Sequence, residues 1–168
     1  LINGPQGFNC ITGNPSTVFS DDLESTNGWT GNIGTGSTVN AWNYDAAGTG
    51  SSGTGPNAAH SGNQYVYVET SGATVNPVSF ISPSIDLTLG NNFAELSFWV
   101  HAYGGNIGTL DVGVSTSATG PFTNLWTFTG AIQAAQSDPF QNVGINLDTY
   151  VGQTIFVEFL YTTNGSFA

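Results

Sequence analysis

The feature that most constrains the fold of this chain is an alternation of apolar and polar residues with a period of two. Five runs show it, at residues 64–69, 95–103, 109–116, 142–147 and 153–162. Because successive side chains of a β-strand point to opposite faces, this alternation predicts strands that bury one face. No segment of helical length carries a sustained apolar period of 3.6 residues.

The alternation also predicts which side chains lie inside. We expect six of them to pack between two sheets: Phe98, Val112, Val143, Ile145, Val157 and Phe159. Ser97 and Glu158 fall on the opposite faces of their strands. Turn signals such as Gly104-Gly105 and Asp138-Pro139 separate the runs. Many short strands between turns indicate an all-β fold, an antiparallel β-sandwich.

The length of 168 residues fits one domain. Residues 1–15 contain Gly, Pro and Asn and are predicted to be an N-terminal lead or linker. The sandwich domain is then expected over residues 16–168. Residues 45–63 are rich in Gly and Ser and predict a long flexible loop.

The chain has no Lys or Arg, 11 acidic residues and a formal net charge of −11. Without cations to contact phosphate, nucleic-acid binding is excluded as a function class. No apolar run reaches the length of a membrane-spanning helix, so membrane insertion is not expected. The carboxylates must be solvated, hydrogen-bonded or bound to cations.

Several stretches of the sequence, in this order along the chain, together resemble a known family. They are Phe19–Glu24 with Gly28-Trp29, His60–Glu69, Ile81–Leu87, Leu96–Gly104 and Ile107–Val112. The set resembles the MAM domain, an extracellular module of meprins, neuropilins and receptor tyrosine phosphatases. The opening is also similar to jelly-roll domains of bacterial cleaved adhesins. The resemblance implies a jelly-roll sandwich, an extracellular or cell-surface location and, because paired disulfides are absent, a bacterial source.

Members of the family usually continue beyond the position of Ala168 into a final strand, so the resemblance implies that this strand is missing from the segment. Three outcomes stay open. The native protein continues past Ala168, or the lead Leu1–Asn14 folds back into the position of that strand. Alternatively, a neighbouring copy donates its lead, which would give a self-assembling fibre.

Asp21, Asp22 and Glu24 form an acidic cluster without a basic partner. Ca²⁺ takes six to eight oxygen ligands and suits such a cluster, and the resemblance implies the same. We therefore expect structural calcium here, with oxygens from the loop around His60. The alternative is a solvated acidic turn.

Trp42 and Tyr44 lie among Asn, Gly and Ser near the long loop. Exposed aromatic rings in such surroundings stack on sugars, which favours a carbohydrate-binding module. The alternative is that both rings anchor the loop to the sandwich.

Carboxylates on the predicted strands, such as Glu69 and Glu95, have no recognisable catalytic context, so we expect no enzyme activity. The sequence favours a non-catalytic adhesion or interaction domain whose partner is an extracellular protein or glycan. A carbohydrate-binding module and a self-associating fibre subunit are the alternatives.

Overall fold

A computed structural model describes residues 16–46, 48, 51–72, 76–88 and 92–165, and the lead predicted at residues 1–15 lies outside them. The described residues form ten strands and one short 3-10 helix, Asp148–Tyr150. The strands are β1 (Thr30–Gly31), β2 (Ala41–Asp45), β3 (Tyr65–Glu69), β4 (Val78–Ile81), β5 (Ile85–Asp86), β6 (Glu95–Val100), β7 (Thr109–Ser115), β8 (Thr123–Thr129), β9 (Gln141–Asn146) and β10 (Thr154–Thr162). The all-β prediction is confirmed.

The first layer is one antiparallel sheet in the order β1-β4-β10-β7-β8, and β5 pairs with the start of β10. β10 lies in its middle, where Phe159 is opposite Phe80 of β4 on one side and Val112 of β7 on the other. β-Branched and aromatic residues dominate this strand, as in strands buried at the centre of a sheet.

The second layer consists of two separate antiparallel pairs, β2-β3 and β6-β9. Ring contacts join it to the first layer. Trp42 of β2 stacks on Phe80 with centroids 5.5 Å apart, and Phe98 of β6 meets Phe159 of β10 edge-on at 5.1 Å. The predicted antiparallel sandwich is therefore confirmed.

The predicted strand register is also confirmed. Four of the six expected core residues are buried: Val112, Val143, Ile145 and Val157. Ser97 is exposed on the outer face of β6. Phe98 and Phe159 face the core as predicted but are only partly buried, because both line an open space between the layers.

The loop predicted at residues 45–63 follows β2, which ends at Asp45. Its described part is anchored to the sandwich. Thr54 is buried, Gln136 Nε2 donates to its carbonyl at 3.0 Å, and the Gly55 N–H donates to the Tyr103 carbonyl at 2.8 Å. Residues distant in sequence therefore hold this stretch against the sandwich, and the flexibility of the loop stays a prediction.

Candidate functional site

The predicted acidic cluster is folded into tight turns. Asp21 accepts the Leu23 N–H at 2.8 Å through one oxygen and the Trp29 indole N–H at 3.0 Å through the other. Asp22 accepts the N–H of Glu24 at 3.1 Å. These carboxylates shape the chain where it enters the sandwich.

Glu24 links the acidic turn at residues 21–24 to the residues that precede β3. Its Oε1 accepts the backbone N–H groups of Asn63 at 2.6 Å and Gln64 at 3.0 Å. Because these bonds favour the charged form, they hold the pKa of the Glu24 carboxyl below its usual value. The loop around His60 does lie beside Glu24, as expected, but it offers hydrogen-bond donors.

Calcium binding at Asp21, Asp22, Glu24 and His60 stays a prediction. Among the described residues, no three Asp, Glu, His or Cys side chains are grouped so that they could hold a metal ion. In this structure the carboxylates of Asp21, Asp22 and Glu24 accept hydrogen bonds from N–H groups.

Other carboxylates are held in the same way. Asp86 accepts the Thr88 hydroxyl and N–H, and Asp148 accepts the Asn146 side chain and the Ala94 N–H. In each case these bonds lower the pKa of the carboxyl. A chain without basic residues thus stabilises these carboxylates with amide and hydroxyl donors.

His60 belongs instead to an aromatic patch on the outer surface. Its ring stacks on Trp99 with centroids 4.0 Å apart and an interplanar angle of 16°. Phe140 meets His60 edge-on at 5.7 Å. Trp99 is 50% exposed, and we call His60, Trp99 and Phe140 the aromatic patch.

His101 lies behind the aromatic patch, with its ring 5.2 Å from that of Phe140. Burial disfavours its charged form and lowers the pKa of the imidazole, and the charge of Asp138 only partly offsets this. His101 is therefore neutral near pH 7.

Trp42 and Tyr44 do not form the exposed platform predicted for sugar stacking. Trp42 is 7% exposed, and its indole N–H donates to the Val78 carbonyl at 3.3 Å. Tyr44 is half-buried against Phe80, and burial raises the pKa of its hydroxyl to about 12. That prediction is wrong because both rings pack on the first layer.

The role of Trp99 was not predicted from the sequence, although a signal for it was present. Ser97 and Trp99 alternate with the inward residues of β6, so their outward position was predictable. The local pattern could not predict that His60 stacks on Trp99, because the two residues are far apart in sequence.

A trough of about 420 Å³ lies between the two layers. Its lining is mainly aliphatic and aromatic, and includes Val66, Val68, Leu96 and Phe98. Such an apolar surface suits docking more than acid–base chemistry.

Comparison with known proteins gives a partial similarity, and no family model matches the chain. Neuropilin-1a of Danio rerio is 34% identical over 94 residues, which are 53% of this chain and 10% of that protein. The chain therefore spans about a tenth of the length of this relative. The similarity supports a distant β-sandwich relationship, and the MAM assignment stays a prediction. In the described part of the chain, no helix has the length and apolarity to cross a membrane.

Proposed function

We propose that this chain is a non-catalytic interaction domain of an extracellular or cell-surface protein. Its contact surface is the aromatic patch. The observation that carries the proposal is the half-exposed Trp99, stacked on an exposed His60 on the outside of the sandwich. Large aromatic side chains at such positions are enriched in binding surfaces.

The partial similarity to neuropilin-1a supports the proposal. Neuropilins are among the proteins in which the MAM module occurs, so the comparison and the sequence motifs point to the same extracellular setting. The turn-forming carboxylates fit a structural role, since each of them already accepts hydrogen bonds from the protein.

A glycan is the second candidate ligand, and the aromatic patch favours it more than Trp42 and Tyr44 do. An exposed indole can stack on a sugar ring while neighbouring amides bond its hydroxyls. Asn142, the partner of Trp99 on β9, is exposed. Its Nδ2 donates to Ser97 Oγ at 3.1 Å, so its amide oxygen is the group that would accept from a sugar hydroxyl. Carbohydrate binding would thus use β6 and β9.

The experiment is a binding screen of the 168-residue chain on arrays of glycans and of extracellular protein ectodomains. We expect Trp99→Ala to weaken binding of any retained ligand by roughly 30-fold, the loss typical of an interface hot spot. His60→Ala should weaken it less, because the indole remains.

The matched control is Leu125→Ala, which trims a surface residue that is 36% exposed on β8. Binding should survive this change. Unaltered binding by Trp99→Ala would contradict the contact surface, and turnover of a retained glycan would contradict the non-catalytic assignment.

A further inference from the structure

The outer face of the first layer carries a carboxylate among apolar side chains. In the central strand β10, Val157 and Tyr161 belong to the buried core. Because successive side chains of a strand alternate, Phe156, Glu158 and Leu160 point away from that core. All three are partly exposed. β10 therefore presents an acid between two apolar residues on the outside of the sandwich.

The neighbouring strands add further apolar groups around this acid. Ile81 of β4 lies opposite Glu158 on one side, and Gly113 of β7 lies opposite it on the other. Ile81 is partly exposed. Gly113 has no side chain, and a Cβ there would lie 3.1 Å from the Cβ of Phe122, so Phe122 packs over this glycine. We call the following residues the Glu158 face: Ile81, Phe122, Phe156, Glu158 and Leu160.

Glu158 differs from the other acidic residues in its hydrogen bonding. Every other acid of the chain except Glu95 accepts at least one hydrogen bond from an amide or hydroxyl group. Among the residues that the structure describes, no group donates to the carboxylates of Glu95 and Glu158. Glu95 is exposed to water. Glu158 is half-buried, and this burial raises the pKa of its carboxyl above its usual value.

A second carboxylate lies beside the Glu158 face. Asp111 of β7 is opposite Leu160, so it is the diagonal neighbour of Glu158, roughly 7–8 Å away. Its Oδ1 accepts hydrogen bonds from Asn124 and Thr127. The chain has no Lys or Arg to offset either charge, and both of its histidines lie at or behind the aromatic patch. The potential at this face is therefore negative.

We propose that the Glu158 face is a docking surface for a different protein, which places a lysine or arginine on Glu158. The aliphatic stem of such a side chain packs on Ile81 and Leu160 while its charged head pairs with the carboxylate. A second copy of this chain is not the partner, because it has no lysine or arginine to supply. The surface belongs to the first layer and the aromatic patch to the second, so this inference is independent of the patch.

The size of the apolar surround favours a protein side chain over a free ion. Alternate residues of a strand are roughly 6.6–6.8 Å apart, so the distance from Phe156 to Leu160 is roughly 13 Å. A metal ion binds through oxygen ligands and gains nothing from apolar walls of this length. A docked protein covers these walls, excludes water from the ion pair and thereby strengthens it.

Selection of a random peptide library, displayed on phage, against the immobilised 168-residue chain tests the proposal. We expect the enriched peptides to share a lysine or arginine flanked by apolar residues. Calorimetry with a synthetic enriched peptide should show affinity weakened by roughly 30-fold or more in Glu158→Gln, which removes the charge and keeps the shape. Exchange of the basic residue of the peptide for glutamine should have a similar effect.

The matched control is Glu95→Gln, which removes the same charge from an exposed acid of the second layer. It should leave the affinity unchanged. Glu158→Gln should also raise the melting temperature at pH 7, because it removes an uncompensated charge from a half-buried position. A lower melting temperature would contradict the proposal, since it would show that the fold itself compensates Glu158.

Three binding results would overturn the proposal. Enriched peptides without a basic residue would remove its chemical basis. Equal weakening by Glu158→Gln and Glu95→Gln would show attraction by the net charge alone. Binding lost in Trp99→Ala but kept in Glu158→Gln would locate the peptide at the aromatic patch, and would leave the proposed function standing.

Discussion

Replacement of Phe80 by Ala is the most informative test of how the two layers hold together. Phe80 is 1% exposed, and its ring stacks on Trp29 at 4.2 Å. It also lies 5.5 Å from the ring of Trp42 and 6.5 Å from that of Tyr44. Phe80 thus joins β4 of the first layer to β2 of the second.

The expected loss follows from these contacts. Phe→Ala at a buried site costs about 3–5 kcal/mol of unfolding free energy. Because three aromatic rings surround Phe80, we expect the upper half of that range, about 4–5 kcal/mol. Phe80→Leu keeps most of the volume but loses the ring pairs, so its loss should be about 1–2 kcal/mol.

Urea unfolding followed by tryptophan fluorescence measures both variants, since Trp29 and Trp42 adjoin the changed site. Leu125→Ala on the surface should stay within about 0.5 kcal/mol of the unmutated chain. A loss below about 1 kcal/mol for Phe80→Ala would refute the reasoning that this ring joins the layers.

Three further predictions concern the acidic turn. Gly62 has a φ of +67°, and a Cβ there would collide with the Glu24 carboxylate. Gly62→Ala should therefore lower the melting temperature more than Gly72→Ala, which has a similar φ but open space; equal losses would contradict the contact. Glu24→Gln should reduce stability at pH 7. Because the folded pKa of Glu24 lies below 4.5, the difference in melting temperature from the unmutated chain should vanish as pH falls through that folded pKa, and a difference that persists at the lowest pH would contradict this. Calcium binding by Asp21, Asp22 and Glu24 stays a prediction: CaCl₂ should raise the melting temperature more than NaCl of equal ionic strength, and equal rises would mean screening alone.

The fold class and strand register were accessible from sequence because alternation is a local signal. β7, β9 and β10 each carry a clear period of two, and burial follows it. β2 was not predicted, because Ala41, Trp42 and Asn43 are all buried and no polar alternation marks the strand. Its existence depends on pairing with β3 and on Phe80 beneath it.

The candidate site was harder to predict from the sequence than the fold. Acidic residues in a row suggested a cation, but the N–H groups of Asn63 and Gln64 arrive from some forty residues away. The alternation in β6 predicted that Trp99 is exposed. It did not predict that Trp99 stacks on His60. Such contacts belong to the tertiary fold, and no local pattern encodes them.

The central claim is that Trp99, stacked on His60 on the outside of the sandwich, is the centre of the contact surface. Isothermal titration calorimetry with a ligand retained in the binding screen measures the affinity of the unmutated chain, of Trp99→Ala and of Leu125→Ala. The account predicts that Trp99→Ala weakens binding by roughly 30-fold, while Leu125→Ala leaves it unchanged. Equal affinities for the unmutated chain and Trp99→Ala would contradict it.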